Sequence, residues 1–199
     1  MAFTFENNSL VIVANQHNPT VISENFLISS GIIESAEAID RNNLVITPAV
    51  SQVFLKEGIK ISVEPNKMTI HQEDIGEGVY EIGRKYCESL PHIKCTAIGI
   101  NFELALDQEV DIENWFSKFN LVDYKNSHVN GIDFEFDLDE EKAFKCHVKV
   151  YKAEDSSGKI RFNYHHPLNE PPLKDIDFDF KEKWKEYTQY CEEFTNKLF

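Results

Sequence analysis

Of the 199 residues, 42% are hydrophobic and 12% aromatic, which supplies a sizeable core and excludes a disordered polymer. The 34 Asp and Glu against 20 Lys and Arg leave a formal charge of -14. That excess disfavours direct binding to nucleic-acid phosphates or to an anionic membrane surface, and it allows a basic protein as partner.

Met1 to Glu6 lacks the basic segment of a secretory signal, and no apolar run reaches transmembrane length. Leu10 to Ala14 predicts a buried strand, Asn15 to Pro19 a loop, and Glu24 to Ser30 a short helix capped by Ser23. Strands follow at Asn43 to Leu55, interrupted at Pro48, and at Ile59 to Glu64, where Ile59, Ile61 and Val63 share a face. A Pro65-Asn66 turn leads to Met68 to His71, and a helix from Val79 to Leu90 comes next. Pro91 to Lys94 is too short for a flexible linker. Beyond it lie a long strand at Cys95 to Leu106 and a short helix at Glu113 to Phe119. Strands at Ile132 to Leu138, Phe144 to Lys152 and Lys159 to His165 precede a terminal helix at Phe180 to Lys197, whose Trp184, Tyr187, Cys191 and Phe194 form an apolar stripe.

This order suggests a unit written twice. Tyr86-Cys87-Glu88-Ser89-Leu90 recurs as Tyr190-Cys191-Glu192-Glu193-Phe194, and Glu24-Asn25-Phe26-Leu27 as Glu113-Asn114-Trp115-Phe116. Gly31 and Asn120, which readily take the left-handed conformation that ends a helix, follow the second pair. The expected fold is α+β: an internally duplicated β-α-β-β-β-α unit, residues 1–92 and 93–199, fused into one body with antiparallel sheet(s) and the long helices packed on one side. In topology alone this loosely resembles the duplicated saddle of the TATA-binding protein class. DNA binding does not carry over, because the corresponding face here holds Asp133, Glu135 and Asp137 beside Lys145 and Lys149.

The hairpin of Ile132 to Leu138 with Phe144 to Lys152 has a readable register. With a turn over residues 139–143, Phe144 falls opposite Leu138, Cys146 opposite Phe136, Val148 opposite Phe134 and Val150 opposite Ile132. On the other face Asp137 meets Lys145, Glu135 meets His147, and Asp133 meets Lys149; a one-residue slip would misplace every side chain. Cross-strand pairing accounts for the acidic row Asp133, Glu135 and Asp137, which is also a candidate interaction surface. Asp175, Asp177 and Asp179 extend that candidate surface, and Asp177 or Asp179 is expected to cap the terminal helix. Alternate carboxylates on a strand point in parallel instead of converging, so no metal is assigned to either row.

No dinucleotide fingerprint, phosphate loop, nucleophile elbow, zinc helix or CxxC pair occurs. Gly76-Glu77-Gly78 reads as a turn, since its flanking acids would repel phosphate. Cys87, Cys95, Cys146 and Cys191 are expected to be free, buried thiols of a reducing cytoplasm. Among the seven histidines, His147 with Glu135 and either His165 or His166 could imitate an acid/base cluster, although an exposed histidine on a sheet face is the simpler reading. The expectation is a cytoplasmic, non-catalytic interaction or regulatory protein without cofactor, such as an inhibitor or immunity protein engaging a basic protein. The alternative is a small-molecule binder or enzyme whose pocket is lined by Phe134, Phe136, Phe162, Tyr164, Trp184 and Tyr187.

Overall fold

The computed structural model describes residues 3–119, 129, 131–138 and 144–199. Its strands are β1 (Phe3–Asn15), β2 (Val45–Ile46), β3 (Ser51–Phe54), β4 (Ile59–Glu64), β5 (Lys67–Glu73), β6 (Lys94–Leu106), β7 (Gly131–Asp137), β8 (Lys145–Lys152) and β9 (Gly158–Pro167). The α-helices are α1 (Glu24–Ser29), α2 (Gly78–Ser89), α3 (Ile112–Ser117) and α4 (Phe180–Leu198). All nine strands join one antiparallel sheet in the order β2-β3-β4-β5-β1-β6-β9-β8-β7.

The seam of this sheet is the pairing of β1 with β6, which runs from Phe3 opposite Leu106 to Asn15 opposite Lys94, with irregularities after Phe5 and Val13. Alternation along β1 sends Leu10, Ile12 and Ala14 into the core and leaves Ser9, Val11 and Val13 half-buried on the other face. The core face continues through Ile61, Ile70, Ile98, Ile100, Phe102, Phe162 and Tyr164, all nearly or fully excluded from solvent. Helix α2 approaches so closely that a Cβ on Gly83 would stand 2.1 Å from Leu10 Cδ2. From α4, Trp184 meets Phe102 at 4.9 Å between ring centroids, and Tyr187 stacks on Tyr164 at 3.9 Å.

The expected fold class needs correction. Among the described residues a single nine-stranded antiparallel sheet dominates, accompanied by four α-helices, of 6, 12, 6 and 19 residues. The duplicated β-α-β-β-β-α unit with long helices packed on one side, and the likeness to the TATA-binding protein class built on it, are therefore withdrawn. Among the described residues four strands lie between α1 and α2 but three between α3 and α4, because the expected strand at 43–55 breaks at Pro48 into β2 and β3. The echoed residues also differ in setting: Tyr86 is fully buried and Tyr190 is 38% exposed. Five-residue likenesses of this kind follow from amphipathic helix composition and need no common unit.

Individual elements follow their local signals. Ser23 Oγ accepts the Phe26 amide at 3.3 Å to cap α1, and Asp179 accepts the Glu182 amide at 2.9 Å to cap α4. Helix α3 starts at Ile112, capped by Asp111, which accepts the Asn114 amide at 2.9 Å. The β7–β8 register is as expected: Phe134 pairs with Val148, Phe136 with Cys146, Asp133 with Lys149, Glu135 with His147 and Asp137 with Lys145. The run at 120–122, His128 and the turn at 139–143 lie outside the described residues. No helix among the described residues is long and apolar enough to cross a membrane.

Candidate functional site

The sheet face opposite the core carries polar residues in rows that cross strand after strand. One row, read by register, is Lys60, His71, Ser9, Asn101, Asn163, His147 and Glu135. Its centre is hydrogen bonded laterally: Asn163 Nδ2 donates to Asn101 Oδ1 at 2.8 Å, and Asn101 Nδ2 donates to Ser9 Oγ at 3.1 Å. The parallel row Glu73, Asn7, Glu103, Arg161, Lys149 and Asp133 holds the strongest polar cluster.

Glu103 is the hub of that cluster and is only 9% exposed. It accepts from Tyr151 OH at 2.7 Å, from Arg161 Nε at 3.0 Å and Nη2 at 2.6 Å, and from Asn7 Nδ2 at 3.2 Å. Burial alone would raise its pKa, but the hydrogen bonds from Tyr151 and Arg161, the guanidinium charge and Asn7 outweigh burial and hold it below the ordinary carboxylate value. A carboxylate held ionised with its lone pairs occupied is a structural tie across β1, β6, β8 and β9 and a poor proton acceptor. Sequence reading missed it, although Asn101 and Glu103 interrupt the apolar β6 run at a two-residue spacing, the mark of a polar sheet face.

The expected acidic row lies where it was placed. Asp133, Glu135 and Asp137 are exposed on one face of β7, the terminal strand of the sheet. Glu135 bonds diagonally to Lys145 Nζ at 2.5 Å and approaches His147 Nδ1 at 3.4 Å. The hydrogen bond and charge of Lys145, with His147, hold the Glu135 carboxyl below its ordinary value. Asp175, Asp177 and Asp179 are exposed on the connection into α4, where Asp179 is spent on the cap.

The trio of Glu135, His147 and a histidine of β9 is not assembled as a cleft. His165 shares the open face but sits opposite Lys145 and Gly99, whereas His166 is buried on the core face, bonded to Tyr187 OH at 2.8 Å. Glu135 and His147 are both about half exposed as side chains. The four cysteines are free and buried, and burial pushes the thiols of Cys87 and Cys146 up to about 12 and that of Cys95 up to about 11. None is poised as a thiolate. The proposed aromatic lining packs upon itself: Phe194 lies edge-on to Phe134, Phe136 and Phe162, and Phe162 stacks with Tyr164. Phe162 and Tyr164 belong to the core, and Phe134, Phe136 and Phe194 pack against it, partly buried.

A separate cleft of about 680 Å³ opens where the end of β1, the α2–β6 connection and the loop after β9 converge. Asn15, Gln16, His92, Lys94 and Glu170 line it together with Leu90 and Ile93. No protein-family model matches the chain, and no curated protein matches it.

Proposed function

We propose that this is a non-catalytic binding protein whose partner is a basic protein, met at the acidic edge of the sheet. The supporting observation is the geometry of β7: one edge bonds to β8, the other has no strand beside it among the described residues, and its exposed face bears Asp133, Glu135 and Asp137. An added strand would take main-chain hydrogen bonds from that edge, and carboxylates repeating every ~6.6 Å would select Lys or Arg at alternate positions. Such a residue would compete with Lys145 for Glu135, which is rim electrostatics and therefore sensitive to salt. Asp175 and Asp177 offer further exposed charge to the same class of partner.

The test is affinity capture followed by identification of the recovered proteins at low and moderate salt, using wild type and the Asp133→Asn, Glu135→Gln, Asp137→Asn triple variant. A basic protein retained by wild type at low salt, released by moderate salt and absent from the triple variant supports the reading. Equal recovery by both forms, or no recovery from either, sinks it.

A further inference from the structure

We infer that the cleft at the ends of β1, α2 and β9 binds a small zwitterion of amino-acid or dipeptide size, with its carboxylate held by Lys94 and His92 and its ammonium by Glu170. Three observations converge there. The first is charge of both signs without pairing. Lys94, His92 and Glu170 all line the cleft, yet none makes a side-chain hydrogen bond or an ion pair among the described residues. By contrast, Arg84 is paired with Glu81 and Glu88, Lys159 with Glu6, and Arg161 with Glu103. Opposite charges that share a cleft and stay more than an ion pair apart leave a gap that a molecule bearing both charges would span.

The second observation is backbone strain on two walls of the same cleft. Gln16 has φ 75° and Glu170 has φ 51°, the left-handed region that side chains larger than glycine rarely adopt. Such conformations persist only where the surroundings enforce them. Backbone bonds do so here: Ala14 N to Asn66 O and His17 N to Pro65 O bracket Gln16, while Leu168 N to Thr96 O and Cys95 N to Pro171 O bracket Glu170. Turning at Gln16 also sends His17 into the core. Glu170 has no comparable packing gain, and it precedes Pro171, which restricts it further.

The third is the character of the remaining lining. Leu90 and Ile93 give an apolar wall for an aliphatic side chain, and Asn15 and Gln16 provide amides. Few polar groups set against apolar surface, in a cleft of about 680 Å³, match the usual make-up of small-molecule sites. Because Ser89 to Lys94 joins α2 to β6, an occupant would touch the one short connection between those elements.

Isothermal titration and amide chemical-shift mapping with leucine, dileucine and N-acetyl-leucine amide test this. Leucine or dileucine is expected to bind with a dissociation constant on the order of 1 mM or tighter and to shift the amides of Gln16, His92, Lys94 and Glu170, whereas N-acetyl-leucine amide, which lacks both charges, should not bind. Lys94→Gln and Glu170→Gln should each weaken binding about tenfold or more while leaving the melting temperature unchanged. No heat and no shift with either zwitterion, binding that persists in both variants, or equal binding of the blocked leucine would overturn the proposal.

Discussion

At the scale of single residues, two buried ionisable groups set the expected response to pH. His17 is buried with Nδ1 2.8 Å from Tyr86 OH and Nε2 3.2 Å from the Ile12 carbonyl. A carbonyl can only accept, so Nε2 carries a proton; in the neutral ring, which burial favours, Nδ1 then accepts from the tyrosine. Burial lowers the His17 pKa from its ordinary 6.5 despite the Ile12 bond. A depressed histidine contributes stability that is present above 6.5 and lost as pH falls through the folded value. Thermal melts should therefore show stability falling as pH drops below 6.5, and His17→Gln should start less stable but lose less over that interval. Glu103, also depressed, adds a second loss at lower pH, below the ordinary carboxylate value of 4.5. Replacing Glu103 with Gln leaves Arg161 without its counter-charge; since that side chain is 56% exposed, the cost is set at about 2 kcal/mol in urea denaturation, below the figure for a fully buried pair. His147→Gln, on the open face, should leave the denaturation midpoint unchanged.

At the scale of elements, the approach of α2 to the sheet is decided at Gly83. Alanine would normally favour a helix interior by about 1 kcal/mol over glycine. Here its Cβ would fall 2.1 Å from Leu10 Cδ2, in the middle of β1, so either the leucine leaves its position or the helix lifts. Overpacking of this kind costs about 1 to 3 kcal/mol and should win, giving a net destabilisation in Gly83→Ala. The double variant Leu10→Ala with Gly83→Ala should lose less than the sum of the singles, and strict additivity would contradict the contact. The β7–β8 hairpin behaves differently, because its register follows the alternation of its strands, which local sequence carries.

At the scale of the whole molecule, the β1–β6 seam determines what can fold alone. We expect residues 1–92 and 93–199, expressed separately, to expose a thirteen-residue strand edge each and to self-associate or stay poorly folded. Mixed together they should recover the sheet, which size-exclusion chromatography and circular dichroism would register; two independently stable monomers would refute it. That seam also marks the limit of what the sequence discloses. The Ser23 and Asp179 caps, the alternation in β4 and the register of Phe134 with Val148 are legible because each depends on neighbours in the chain. Glu103 with Arg161 and Tyr151, and the cleft that brings Gln16 beside Glu170, join residues far apart in sequence and arise only when β1, β6 and β9 lie side by side. The supposed repeat failed for the complementary reason: it compared short helical segments whose composition any sheet-covering helix would share.

An open sheet is in principle a monomer unit for indefinite growth, since each edge strand can recruit another molecule. The two ends here discourage that in different ways. At one, β2 spans only two residues before Pro48, too little backbone to template a neighbour. At the other, two β7 strands laid side by side would bring like-charged carboxylates into register. Chain extension is thus gated by charge: light scattering should stay flat for the wild type and rise for the Asp133→Asn, Glu135→Gln, Asp137→Asn triple variant, in which the last strand of the sheet becomes adhesive.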